Sequence, residues 1–185
     1  MSTGFVVWLT GLSAAGKSTI GRIVAAELEA RGLLVDRLDG DVVRRHLSKG
    51  LGFSRADRDT NVRRIGFVAA EVARHGGVAL CAPIAPYAAT RAAVRAMVDD
   101  AGGVFVLVHV STPLAVCEAR DRKGLYARAR AGQLPEFTGI SDPYEEPTDA
   151  DLTLDTSVLE VDAGVEAVLG LLRARELVRS EVEEV

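Results

Sequence analysis

The run Gly11-Leu12-Ser13-Ala14-Ala15-Gly16-Lys17-Ser18-Thr19 completes a G-x-x-x-x-G-K-[ST] phosphate-binding loop. Gly11 and Gly16 let the backbone turn and approach a phosphate closely, so that successive N–H groups converge on its oxygens. The start of the following helix adds partial positive charge at the same place. Lys17 is expected to reach the β- and γ-phosphates, and the Ser18 hydroxyl to ligate Mg²⁺. This chemistry requires a nucleoside triphosphate.

A second set of residues narrows the reaction. Asp39-Gly40-Asp41 closes an apolar stretch, with Arg44 and Arg45 one helical turn later. A carboxylate at a strand end beside Lys17 can hold Mg²⁺ through water or take the proton of an acceptor hydroxyl. Asp41 could instead cap the following helix, which would leave Asp39 unexplained. Arg58, Arg63 and Arg64 surround Asn61, and guanidinium groups suit a doubly anionic acceptor such as a phosphate or sulfate ester. No Asn-Lys-x-Asp motif for guanine recognition is present. The pattern is that of a small-molecule kinase.

These residues need strands and helices to hold them. Apolar strand patterns fall at 5–9, 33–38, 78–82, 104–110 and 152–154, separated by helical patterns at 17–31, 42–47, 57–74, 90–98, 113–121 and 165–177. Such alternation predicts an α/β fold of the P-loop kinase type, a parallel sheet of about five strands flanked by helices. Ligands collect at the carboxyl ends of such strands, where Gly11, Asp39, Pro83 and Ser111 fall. The polar segment at about 120–149 breaks the rhythm and predicts a lid.

The chain of 185 residues, with 48% hydrophobic and 26% charged residues, predicts one globular domain over 1–185. A net charge of −4 argues against general nucleic-acid binding. No long apolar run or leader pattern is seen, so no membrane association is expected. Cys81 and Cys117 lie in apolar stretches without metal spacing, which points to a reducing cytoplasm. The histidines His46, His75 and His109 have no nucleophile beside them in sequence and read as structural. The acidic run Glu181-Val182-Glu183-Glu184 reads as a solvated end.

Several longer blocks carry a resemblance. Asp39-Gly40-Asp41-x-x-Arg44, Leu51-Gly52-Phe53-Ser54-x-x-Asp57-Arg58-x-x-Asn61-x-Arg63-Arg64-Ile65-Gly66, Cys117-Glu118-x-Arg120-Asp121-x-Lys123-Gly124-Leu125-Tyr126 and Phe137-Thr138-Gly139-Ile140-x-Asp142-Pro143-Tyr144-Glu145-x-Pro147 follow the phosphate loop in colinear order. Together, from about Gly4 to Val158, they resemble the adenylylsulfate (APS) kinase family. The resemblance implies transfer of the ATP γ-phosphate to the 3′-hydroxyl of adenosine 5′-phosphosulfate, giving PAPS and ADP with Mg²⁺. It implies catalytic roles for Lys17, Asp39 and Asp41, with Mg²⁺ on Ser18 and on Asp39 through water. The loop 11–19 and Arg120 would hold ATP. Asp41, Arg44, Phe53, Arg58, Asn61, Ile84, Ala85, Lys123 and Phe137 would hold the acceptor, with Phe53 and Phe137 sandwiching its adenine. Arg120 and Lys123 would close over the nucleotide. A homodimer and functional coupling to ATP sulfurylase are implied as partners.

Two positions depart from the family pattern. Many members carry Ile-Ser-Pro after the third strand, where the serine can be phosphorylated; here the run is Ile84-Ala85-Pro86. Alanine has no hydroxyl, so transfer is expected to go directly to the acceptor. Phe67 stands where a glutamate is expected, and if it faces solvent it marks a subunit contact. A kinase for another anionic acceptor, or a catalytically silent nucleotide-binding partner of ATP sulfurylase, are the competing readings.

Overall fold

The computed structural model describes residues 3–179, apart from the side chains of Asp41 and Val42. The acidic run at 181–184 therefore lies outside the described residues. The elements follow in the order β1 (Phe5–Thr10), α1 (Lys17–Ala30), β2 (Val35–Leu38), α2 (Gly40–His46), α3 (Arg55–Arg74), β3 (Val78–Cys81), α4 (Ala88–Asp100), β4 (Val104–Val110), α5 (Leu114–Arg120), α6 (Leu125–Arg130), β5 (Leu152–Leu154) and α7 (Val161–Ala174). The five strands form one parallel sheet in the order β2-β3-β1-β4-β5.

β1 lies at the centre and is buried throughout. That burial on both faces is why its sequence, Phe-Val-Val-Trp-Leu, is apolar without alternation. Its side chains nevertheless divide by face, because successive residues of a strand point to opposite sides. Phe5, Val7 and Leu9 join Ile20, Val24 and Leu28 of α1 and Val168 and Leu172 of α7 in one core. Val6 and Trp8 join Ile65 and Ala69 of α3 and Val94 and Val98 of α4 in the other.

The start of α3 is fixed locally. The Ser54 side chain accepts from the Asp57 backbone N–H at 3.2 Å and donates to the Asp57 carboxylate at 2.8 Å. Serine with an acidic residue three positions on is a helix-start device. It sets Phe53 immediately before the helix and Arg58 and Asn61 on the inner face of its first turns. The segment expected as a lid contains α6, a short helix the sequence patterns do not show. Asp121 accepts from the Ala127 N–H at 3.0 Å, and Gly124 in the left-handed region lets the chain enter α6.

Candidate active site

The phosphate loop follows from the backbone geometry of its glycines. Gly11 has φ +151°, and a Cβ there would stand 2.4 Å from the Val110 carbonyl oxygen, so only glycine fits against β4. Gly16 (φ +106°) turns the chain into α1, and Ala14 holds a left-handed φ of +59°. Such a conformation costs a non-glycine residue about 1–3 kcal/mol and persists only where its surroundings impose it. Lys17 is buried and donates to the Gly11 and Leu12 carbonyls at 2.9 and 2.7 Å, so its ammonium lies inside the loop. Burial pushes its pKa down from 10.5 to about 8, against an opposing pull from Cys117 and Asp39. Ser18 and Thr19 are exposed at the first turn of α1.

Behind the loop stands a hydroxyl clamp. Thr112 and Thr156 Oγ1 lie 3.0 and 2.8 Å from the Ala15 carbonyl and 2.8 Å from each other. Each hydroxyl carries one proton, so three oxygens share two. Arg120 completes the clamp, donating to Thr156 Oγ1 at 2.7 Å and to its carbonyl at 2.6 Å. Holding the Ala15 carbonyl from behind keeps the following N–H groups facing the phosphate side. Tyr126 of α6 adds a hydrogen bond to the Ser13 carbonyl at 2.9 Å.

Across the strand ends, Phe53, Arg44, Arg58 and Asn61 form a second wall. Phe53 is 55% exposed, with the Arg44 guanidinium 4.3 Å and that of Arg58 5.8 Å from its ring centre. Arg58 is buried and donates to the Phe53 carbonyl at 2.7 Å, to Thr138 Oγ1 at 3.0 Å and to the Glu136 carbonyl. It thereby ties the segment carrying Phe137 to the one carrying Phe53. Phe137 is half-buried and meets Tyr126 edge-on at 5.1 Å. Asn61 is buried, yet its Oδ1 has no partner. A buried polar atom without a partner is costly unless a ligand supplies one.

The floor between the walls is the turn after β3. The Thr10 hydroxyl donates to the Ile84 carbonyl at 2.6 Å and accepts from Tyr144 at 3.0 Å. Arg91, buried, donates to the Ala85 carbonyl at 2.8 Å and to that of Glu145 at 2.7 Å. Glu145 in turn accepts the Ala88 N–H at the start of α4. These bonds hold Ala85 at φ +46° and seat 144–145 on the turn. Tyr144 also stacks on His109, whose pKa burial lowers.

Most of the residues expected from the sequence converge on these strand ends, with two corrections. Arg63 and Arg64 do not face Asn61; both are exposed and line a groove beside Phe67 on the outer face of α3. Arg58 and Asn61, three residues apart, share the inner face; Arg63 falls about half a turn beyond Asn61, and Arg64, at the edge of that face, reaches outward to donate to the Leu47 carbonyl at 2.8 Å. The helix after β2 begins at Gly40, so the cap position falls to Asp39, whose carbonyl accepts the Val43 N–H at 2.9 Å. Asp41 lies in the first turn of α2, and its side chain lies outside the described residues. Lys123 is exposed at the turn before α6. Thr10, Thr112, Thr156 and Arg91 were not singled out from the sequence. The position of the first three at or just past strand ends is the signal that could have found them.

A family model described as adenylylsulphate kinase matches residues 3–155. The chain belongs to the adenylylsulphate kinase family. An adenylyl-sulfate kinase of Myxococcus xanthus is 53% identical over 95% of this chain and 95% of its own length. One from Deinococcus deserti is 54% identical over 91% of each. The structure of the Mycobacterium tuberculosis APS kinase CysC in complex with AMPPNP and APS superposes with a TM-score of 0.90 at 43% identity, covering 94% of this chain and 99% of that one. The P-loop kinase fold and kinase activity expected from the sequence agree with these findings. No helix among the described residues is long and apolar enough to cross a membrane.

Proposed function

We propose that the protein transfers the γ-phosphate of ATP to the 3′-hydroxyl of adenosine 5′-phosphosulfate, yielding PAPS and ADP. The observation that carries this reading is the buried, unpartnered Asn61 Oδ1 beside Arg58 and the exposed ring of Phe53, on the wall facing the phosphate loop. An acceptor oxygen suits a ribose hydroxyl, guanidinium groups suit a phosphosulfate, and an exposed aromatic ring suits a base.

Donor and acceptor then meet over the Ile84–Pro86 turn. Lys17 leaves the Gly11 and Leu12 carbonyls and follows the β- and γ-phosphates, while Arg120 and Lys123 close over the nucleotide. The acceptor 3′-oxygen forms its bond to the γ-phosphorus as the bond to the β–γ bridging oxygen breaks, and ADP departs. The hydroxyl proton passes to Asp41. Arg44 and Arg58 hold the phosphosulfate, and Phe53 and Phe137 hold the adenine. The docked 120–149 segment excludes water that would otherwise capture the phosphoryl group.

Hard oxygen donors at Ser18 and Asp39 fit Mg²⁺, which keeps most of its waters and needs few protein ligands. No cluster of three His, Cys, Asp or Glu residues occurs among the described residues, in keeping with a metal shared with the triphosphate. Ser18, and Asp39 through water, would hold the ion, which would supply charge neutralisation on the phosphates.

Ala85 offers no hydroxyl, so transfer is direct and in line. Incubation with γ-labelled ATP alone is expected to leave no stable phosphoprotein. Two buried free cysteines, in opposite cores, support a reducing cytoplasm. A homodimer and functional coupling to ATP sulfurylase complete the reading. Steady-state ADP release with APS, compared with AMP, gluconate and shikimate, tests it. APS alone is expected to drive turnover; equal rates with gluconate, or ATP and APS binding without ADP release, would overturn the assignment.

A further inference from the structure

One buried hydroxyl joins three parts of the chain beneath the strand ends. Thr10 closes β1 and immediately precedes Gly11, so its position fixes where the phosphate loop begins. Its side chain is fully buried and donates to the Ile84 carbonyl, in the turn after β3, at 2.6 Å. With that proton committed, the same oxygen accepts from the Tyr144 hydroxyl at 3.0 Å, across 134 residues of sequence.

Tyr144 is built to keep this bond. Its ring stacks on that of His109, the β4 residue in register with Thr10, at 5.9 Å and 28° between planes. Burial pushes the phenol pKa up to about 12, so Tyr144 retains the proton that it donates. Glu145, the next residue, grips the turn through its backbone. Its N–H donates to the Pro86 carbonyl at 2.8 Å, and its carbonyl shares the Arg91 guanidinium with that of Ala85. Residues 144–145, the Ile84–Pro86 turn and the start of the phosphate loop therefore form one connected unit.

In-line transfer requires the acceptor oxygen, the γ-phosphorus and the leaving oxygen to share a line at near contact distance, and a misplacement of about 1 Å costs on the order of 100-fold in rate. The turn and the loop are the two surfaces whose separation sets that distance. We propose that Thr10 and Tyr144 are positioning residues for phosphoryl transfer, their hydroxyl pair coupling the docking of 144–145 to the alignment of loop and turn. They act through Gly11 and Ile84 rather than on a substrate. The inference rests on the transfer reaction proposed above.

Tyr144→Phe removes the hydroxyl and keeps the ring that stacks on His109. Its kcat with ATP and APS should fall about tenfold, with both KM values within about twofold of wild type and circular dichroism unchanged. Thr10→Val should cost about 100-fold, Thr10→Ser should stay near wild type, and Tyr144→Phe should add little in the Thr10→Val background, because the two side chains act through one bond. A purely stabilising role would lower the melting temperature and leave the kcat of the folded protein in place. Amide hydrogen exchange supplies a readout that needs no acceptor. In Tyr144→Phe, the hydrogen-bonded amides of Glu145 in the segment and Ala15 in the loop should both exchange faster, with α7 unchanged. Unchanged kcat in Tyr144→Phe, additive losses in the double variant, or faster exchange at Glu145 alone would overturn the proposal. A wild-type chain that ignores APS, with both amides still faster in Tyr144→Phe, would overturn the acceptor assignment and uphold the coupling.

Discussion

The proposed donor and acceptor halves of the cleft are built in opposite ways. The phosphate loop is one contiguous stretch between a fully buried strand and a helix, braced from behind by Thr112, Thr156 and Arg120. The proposed acceptor wall is assembled from separated segments at 44, 53, 58–61 and 136–138, joined by the guanidinium groups of Arg44 and Arg58. The first binds through backbone geometry that the fold imposes. The second would bind through side chains, one of them an exposed aromatic ring and another an unpartnered amide oxygen. On the proposed assignment, specificity resides where the architecture is least continuous, and donor binding where it is most so.

Breaking each half should give a different kinetic signature. Lys17→Ala strikes the donor half at the point where charge develops. Its kcat should fall by about three orders of magnitude or more, with the fold intact by circular dichroism. Phe53→Ala strikes the acceptor half and removes stacking worth about 1–3 kcal/mol per base, so the KM for APS should rise roughly 5- to 150-fold while the KM for ATP holds. An effect of Phe53→Ala on ATP alone would mean the two halves had been assigned the wrong way round.

Smaller changes sharpen the contrast. Thr156→Val removes the clamp hydroxyl and leaves Arg120 and the Ala15 carbonyl short of a partner, at about 1–3 kcal/mol. The expected result is a raised KM for ATP with little change for APS, rescued by Thr156→Ser. Proton linkage gives the finest test. Lys17 titrates at about 8 in the ligand-free fold against 10.5 when unperturbed. Between those values the unfolded chain holds the proton and the folded chain does not, so stability contributed by this group rises with pH across that window. Triphosphate binding favours the ammonium and reverses the shift. Calorimetry in buffers of different ionisation enthalpy should therefore show proton uptake on ATP binding above pH about 8. That uptake should fade below this pH and be absent in Lys17→Met.

How far the sequence revealed each half follows the same division. Phe5–Leu9, the loop and the helix after it were legible because motif, apolar run and helical period lie side by side. β5 was found at Leu152–Leu154 for a similar reason, as three apolar-rich residues between polar turns. α6 was missed because a six-residue helix between Gly124 and Gly132 has too little period to stand out. The pairing of Thr112 with Thr156 joins the ends of β4 and β5, 44 residues apart, and only the sheet order brings them together. Arg63 and Arg64 were grouped with Asn61 by proximity in sequence, yet the helical phase that buries Ile65 also turns them outward. The same phase exposes Phe67, the one departure in α3 that the sequence flagged.

The stereochemical course of transfer to APS tests the central claim most directly. With ATP made chiral at the γ-phosphorus by oxygen isotopes, passage from the donor half straight to the acceptor half predicts a 3′-phosphorylated product with inverted configuration at phosphorus. Retention of configuration would show an intermediate on the protein and contradict direct transfer over Ala85.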